Sequence, residues 1–323
     1  MTTKVMAFGE ALIDFLSNGA TQAGELESFT KFPGGAPANV AVAVARLGGN
    51  SHFIGQVGDD AFGHFLKDSL NEYGVNTASM LMTKEAKTAL AFVSLDETGE
   101  RSFEFYRNPS ADMLFRESDF DAAWFTGSQG VFHTCSNTLT DANITKATLA
   151  GIEMARAAGW IVSIDVNLRT NLWPNEQLDT QRIIDWMKSG DVIKASLEEL
   201  AVLAEKPFEL IDQMLADGVS LFVLTDGAES IRFYTSAHGE TTVLTPKVEV
   251  KDTTAAGDAF VGGLLYKLAE QGGERAALAS LSQAELIDVV RFAAACGADS
   301  VTKLGAYPSL PSIEEANAQL ERF

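Results

Sequence analysis

From about residue 130 the chain alternates short apolar runs with helical patterns, and this alternation restricts the possible folds more than any other feature. VFHTCS reads as a strand and is followed by a helix over about 140–158; IVSID leads to a helix near 178–189; DVIKA leads to SLEELAVLA; SLFVLT ends at Asp226-Gly227. Apolar runs this short, bounded by polar turns, suit strands buried on both faces. Helices between such strands act as crossovers, and crossovers build a parallel sheet with helices on each side. The expected fold class is α/β, a three-layer αβα sandwich on a mostly parallel sheet.

The N-terminal part extends the same pattern. Val5 to Phe8 form a first strand ending at Gly9. PANVAVAVARL puts Val40, Val44 and Leu47 on one helical face before Gly48-Gly49, SHFIGQVG is a strand, and Phe62, Phe65, Leu66, Leu70 and Tyr73 stripe the next helix. Segments of about 10–33 and 88–107 do not fit this alternation. The second contains a hairpin, TALAFVSL to SFEFYR, around the polar turn DETGE. Together they read as a small β-sheet appendage, a candidate lid. A further hairpin runs from IRFYT to TTVLT, and helical patterns over about 283–299 and 312–321 close the chain. With no linker, repeat or low-complexity tract, residues 1–323 read as one domain carrying that lid.

A formal net charge of −20 argues against nucleic-acid or anionic-membrane partners, although local cations can still hold a nucleotide. Cys135 and Cys296 lack the spacing of a disulfide framework or zinc site and are expected to be buried. His52, His64, His133 and His238 show no metal-ligand spacing. No apolar stretch is long enough to span a bilayer, and acidic residues come too early for a signal peptide. A cytoplasmic protein is expected.

The run DTTAAGDAF, residues 252–260, concentrates chemistry. Ala255-Ala256-Gly257 precede a helix marked by Phe260, Val261, Leu264, Leu265 and Leu268. A helix start offers unpaired N–H groups to an anion. Asp258 in that first turn would repel the anion unless it accepts a proton from an attacking hydroxyl, the equipment of phosphoryl transfer to an alcohol. A capped helix with an acidic first turn would have the same letters.

Other constellations have two readings each. In PGGAPAN, Gly34-Gly35 allow close backbone approach and Asn39 can bond a polyol both ways; an ordinary glycine turn is the alternative. Asp14 follows the first strand, where α/β sheets gather ligand contacts, or is a turn aspartate. In DVNLR, Asn167 and Arg169 reach one crevice, with Arg169 suited to phosphate, or else form a surface salt bridge. Lys194, Ser196 and Glu199 follow another strand; Glu199 suits the water shell of Mg2+, or lies on a solvated helix face. Thr225 and Gly227 of LTDG stand where a nucleotide would lie. Walker-type and GxGxxG signatures are missing.

PGGAPANVAVAVARLGG with GQVGDDAFG, and DTTAAGDAFVGG, resemble the two signatures of the ribokinase-type (PfkB) carbohydrate kinase family, and GERSFEFYRNPSADMLF resembles the lid of its fructokinases. The similarity runs from Val5 to about Pro311. It implies an ATP-dependent kinase acting on the 6-hydroxyl of fructose, with Asp258 as base and the amides of Ala255, Ala256 and Gly257 as anion hole. It further implies that Asp14, Gly34, Gly35 and Asn39 bind sugar, joined by Phe103, Phe105 or Arg107 from the lid. Arg169 would touch phosphate or substrate. Lys194, Thr225, Gly227, Ala294 and Gly297 would border ATP. A monovalent cation such as K+ would take oxygens from Asp252, Thr254, Ser300, Lys303, Gly305 and Ser309. Aminoimidazole riboside, 2-keto-3-deoxygluconate and ribose are alternative acceptors; a non-catalytic sugar or nucleotide sensor is a reading of another class, disfavoured by Asp258. A lid edge rich in Phe suggests a homodimer.

Two departures from the family pattern stand out. AAGD replaces GAGD, and serine at 196 replaces the asparagine of NxxE, the motif that organises the magnesium waters. Alanine keeps its N–H but prefers φ < 0, so residue 255 is expected at negative φ.

Overall fold

In the computed structural model of the chain, β1 (Lys4–Phe8) lies inside the main sheet, and the strands that follow are added on both sides of it. The structure describes residues 3–18, 28–95, 101–107 and 109–322; the turn DETGE falls outside them. The order continues β2 (Leu12–Ser17), β3 (Phe29–Gly34), α1 (Ala36–Arg46), β4 (Asn50–Gly58), α2 (Ala61–Glu72), β5 (Met80–Thr83), β6 (Leu90–Leu95) and β7 (Arg101–Tyr106). Then come β8 (Gly130–Cys135), α3 (Ala142–Ala157), β9 (Ile161–Asp165), α4 (Thr180–Met187), β10 (Val192–Ser196), α5 (Leu197–Leu203), α6 (Pro207–Ala216) and β11 (Leu221–Thr225). The hairpin β12 (Ile231–Thr235) and β13 (Gly239–Val243) leads to α7 (Ala256–Glu270), α8 (Arg275–Leu278), α9 (Gln283–Ser300) and α10 (Ile313–Glu321).

Among the described residues the main sheet has the order β13-β12-β11-β10-β9-β8-β1-β4-β5. Its pairs are parallel from β11 to β5, and the hairpin at the other end is antiparallel. Both faces are covered because neighbouring residues on one strand enter opposite cores. Phe132, Ile193 and Phe222 join Trp160 and Trp186 in one core; Val131, Val192 and Val223 join Leu264, Leu265 and Val290 in the other. This is the expected sandwich. The chain leaves β1 for β4 on one side and later enters β8 on the other, which opens a crevice beyond the carboxyl ends of β1 and β8.

The two segments that broke the alternation form a second sheet, β3-β2-β6-β7, with β2 and β6 parallel and the outer pairs antiparallel. Register puts Asp14 beside Ala91 and Ala91 beside Phe105, three residues on one face. Helix α1 is buried all round: Val40 and Val44 enter the core with α7, while Ala38, Ala41 and Val42 pack with Ile13, Phe53 and Tyr307. Its alanines make that possible, since small side chains let a helix be enclosed without overpacking. The sequence reading also missed β5, a four-residue, largely half-buried strand, as well as α6 and α8.

Candidate active site

The site gathers at the carboxyl ends of the strands, around the start of α7. Asp252 organises the approach: its Oδ1 accepts from the Thr254 amide at 2.7 Å and its Oδ2 from the Gly305 amide at 2.9 Å. With that loop pinned, the reversal into the helix falls on Ala255, which takes φ 59° and ψ 13° as N-cap. The expectation of negative φ is therefore wrong. A left-handed alanine stores about 1–2 kcal/mol of strain. The amides behind it are unequal. Ala256 donates back to the Thr253 carbonyl at 3.3 Å, so it is engaged rather than open, whereas the Gly257 and Asp258 amides have no backbone partner among the described residues.

Asp258 lies buried in that first turn and meets the other signature directly, accepting from Asn39 Nδ2 at 2.7 Å across 219 residues of sequence. Burial raises the pKa of the Asp258 carboxyl; the Asn39 bond, then the charges of Arg169 and Lys194, pull it back. Arg169 itself is exposed at the head of a short turn.

Lys194 reaches from β10 to Asp165 Oδ1 at 3.0 Å, and its Nζ lies 3.5 Å from where a Cβ on Gly257 would be. The ammonium therefore stands against the opening of α7. Burial pushes the Asp165 carboxyl up, and the charge of Lys194 beside it pulls it back. Burial likewise opposes the charge on Lys194, but Asp165 and Glu199 outweigh it and raise its pKa. Asp165, the first letter of DVNLR, was not singled out from sequence; a carboxylate at a strand end was the available signal. Glu199 serves the backbone. Its Oε2 accepts from the Ser196 amide at 2.7 Å in a capping box, and its Oε1 from the Leu168 amide at 3.0 Å. It thereby fixes the DVNLR loop, in which Asn167 has φ 36°.

At the first signature, a Cβ on Gly34 would lie 2.0 Å from Asp14 Oδ2, and one on Gly35, at φ 103°, would lie 2.5 Å from the Glu10 carbonyl. Both glycines are needed for close approach, and Asp14 lies against the turn. Phe105 packs on Leu12, Ala89 and Ala91; the Phe103 side chain falls outside the described residues. Arg107 is not offered by the second sheet as a mobile arm. Asp112, on the turn that follows β7, captures its Nε at 2.6 Å, while Nη1 donates to the Asn137 carbonyl at 3.0 Å and Thr140 Oγ1 at 3.2 Å.

A narrow cavity between the second sheet and the loops that precede α7 and follow α9 is lined by Asp14, Phe32 and Val93 on one side and Asp252, Thr254 and Gly305 on the other. The residues expected around a monovalent cation form adjoining loops rich in oxygen, a donor set suited to a hard cation. Ser300 and Ser309 donate their hydroxyls to the Gly297 and Ala306 carbonyls. The Lys303 side chain turns away to Asp299 and Glu315, at 2.7 and 2.8 Å, leaving only its backbone oxygen for an ion.

Of the residues expected to border a nucleotide, Thr225 and Gly227 stand at the end of β11, with Thr225 Oγ1 donating to the Ala195 carbonyl at 3.4 Å. Ala294 is enclosed in the core, and a Cβ on Gly297 would come 3.3 Å from the Ala256 carbonyl. These two positions set how closely α9 packs on α7. A groove of about 580 Å3 lies apart, between residues 244–249 and the ends of α9 and α10. Both cysteines are free and buried, and burial pushes their thiols up, away from nucleophilic use. Among the described residues no group of His, Cys, Asp or Glu is placed to hold a metal ion by itself, and no helix is long and apolar enough to cross a membrane.

The sequence profile of the pfkB family carbohydrate kinases matches residues 2–313. Fructokinase-2 of Zea mays is 42 % identical over 316 residues, 97 % of this chain and 92 % of that one. A fructokinase from Xylella fastidiosa, solved with bound ATP, superposes with a TM-score of 0.93 at 44 % identity, over 99 % of each chain. A double mutant of the Vibrio cholerae O395 fructokinase, solved with fructose, ADP and a potassium ion, gives 0.87 at 35 % identity, over 99 % of this chain and 98 % of that one.

Proposed function

Since the chain belongs to the pfkB family of carbohydrate kinases, we propose that it is an ATP-dependent fructokinase, transferring the γ-phosphoryl group of Mg-ATP to the 6-hydroxyl of fructose. The observation that carries this reading is the 2.7 Å bond between Asn39 and Asp258, which joins a polyol-binding side chain to a buried carboxylate at an anion-attracting helix start. Fructose lies between Asp14, Gly34, Gly35 and Asn39, with Phe105 above it. Asp258 accepts the proton of the attacking hydroxyl, and a pKa above that of an ordinary aspartate makes it a better base near neutral pH. The Gly257 and Asp258 amides, Lys194 and Arg169 stabilise charge on the transferring group. Thr225 and Gly227 border the nucleotide. A magnesium ion, when bound, screens the phosphates, and Glu199 with Ser196 supports the loop beside it. A potassium ion, when bound by oxygens of the 252–254 and 300–309 loops, stiffens the entrance to α7.

The second sheet acts as a lid that excludes water from the reacting atoms within one kinase unit. On its outer face Phe92 meets Phe15, Phe29 and Tyr106 at ring distances of 5.2, 5.4 and 5.3 Å, and Tyr106 is 56 % exposed. A second copy of the chain covers this aromatic face, and light scattering reporting a monomer at working concentration defeats that statement. Two free buried cysteines suit a reducing cytoplasm.

Release of ADP from Mg-ATP tests the function over fructose, ribose, glucose, 2-keto-3-deoxygluconate and aminoimidazole riboside. Fructose is expected to give the highest kcat/KM. A higher value for another sugar overturns the substrate, and no turnover with any of them overturns the activity.

A further inference from the structure

Beneath the PGG turn, three buried polar atoms have no hydrogen-bond partner among the described residues. Glu10 follows β1 and Asn137 follows β8, so they flank the crevice where the strand order reverses, and Asn137 Nδ2 donates to Glu10 Oε1 across it at 2.8 Å. Arg107, from the end of β7, is fixed by Asp112 and by the Asn137 carbonyl. Glu10, Arg107 and Asn137 are 1 %, 5 % and 5 % exposed. Glu10 Oε2, Asn137 Oδ1 and Arg107 Nη2 nonetheless make no hydrogen bond among the described residues, although Glu10 and Arg107 are close enough to feel each other's charge. Asn39 Oδ1, beside the base, is in the same condition.

Buried polar groups are ordinarily completed by something, and the chemistry of these three narrows what that is. A guanidinium N–H only donates, an amide or carboxylate oxygen accepts, and a hydroxyl does both. One hydroxyl can accept from Arg107 Nη2 while donating to one of the two oxygens, and a second hydroxyl satisfies the other. The complement is a pair of hydroxyls. The cluster also adjoins the acceptor side: the Glu10 carbonyl lies directly under Gly35, and the charges of Glu10, Asp165 and Asp258 all reach the thiol of Cys135 at the end of β8.

We propose that Glu10, Arg107 and Asn137 form a further part of the acceptor site and read a pair of sugar hydroxyls other than the one phosphorylated. The proposal rests on the fructokinase reading and adds a determinant of which sugar is accepted.

The test compares the unaltered protein with Glu10→Gln and Asn137→Leu on fructose and on its C3 and C4 epimers, psicose and tagatose. Thermal unfolding and the KM for ATP are measured alongside. Each variant is expected to lose about 10- to 100-fold in kcat/KM for fructose, the usual cost of one hydrogen bond to a charged or buried group. The KM for ATP stays unchanged, and the preference for fructose over at least one epimer collapses. An equal loss for all three sugars, no loss, or a KM for ATP that moves with the sugar shows that the cluster holds water or anchors the strand, and overturns the proposal. Should either variant unfold, Asn137→Ser, which retains a small polar group, is judged by the same ratio. Fructose turnover by the unaltered protein tests the fructokinase reading separately, since it can stand while the epimer ratios refute this assignment.

Discussion

Asp258 is acceptable inside the anion-attracting first turn of α7 only because its surroundings make it useful, and its titration should reveal them. Its pKa is raised, and a base must be ionised to work, so kcat falls as pH drops through that raised value. The acid limb of the kcat–pH profile should lie above the range of an ordinary aspartate. The Asn39 bond favours the ionised form, so Asn39→Ala should move the limb to higher pH at saturating fructose. Asp258→Asn should cut kcat by roughly 10²–10⁴. A limb unmoved by Asn39→Ala, or near-normal turnover of folded Asp258→Asn, would refute the base.

Asp165 and Lys194 make a second residue-scale case. Asp165→Asn leaves a buried ammonium without its counter-charge and should cost about 3–5 kcal/mol of stability. The double variant Asp165→Asn/Lys194→Met should regain most of that stability, yet still turn over poorly and with a raised KM for ATP. Calorimetry and kinetics on the same preparations separate the two effects. Ala255→Gly relieves about 1–2 kcal/mol of left-handed strain, but glycine gives back about 0.4–1 kcal/mol through a freer unfolded chain. A small gain in unfolding free energy is expected, with kcat changed less than tenfold because the N–H groups are unaltered. Denaturant melts and steady-state rates check both.

At the scale of elements, the entrance to α7 depends on two loops tied through Asp252 and on how closely α9 packs at Gly297. Potassium should therefore raise kcat relative to buffer free of monovalent ions, and removing the Asp252 side chain should abolish that response. ADP-release assays over a potassium titration decide it; indifference to every monovalent ion would reject the cation loops. Helices, strands and the two signatures were legible in the sequence because apolar period and glycine placement are local properties. Asp165, Glu10 and Asn137 were not, since a buried acid or amide has the same letter as an exposed one, and its meaning comes from a partner 29 or 127 positions away. The φ of Ala255 was also illegible: alanine avoids that region, and a loop tied elsewhere forced it there.

At the scale of the whole molecule, the contact between Asn39 and Asp258 ties activity to the order in which the chain is made. The first strand waits inside the sheet for neighbours supplied by β4 and, much later, β8. The first signature could take shape on a nascent chain, but Asp258, the proposed base, emerges only after four-fifths of the 323 residues. On the proposed mechanism, a product truncated before α7 has the residues of the first signature but nothing to accept the proton, and is expected not to spend ATP. Long-range pairings of this kind form slowly. On dilution from denaturant, far-ultraviolet circular dichroism should recover before ADP release does, and activity should return in one late phase. Simultaneous recovery of the two signals would show that closure of the N- and C-terminal halves is not the last step of folding.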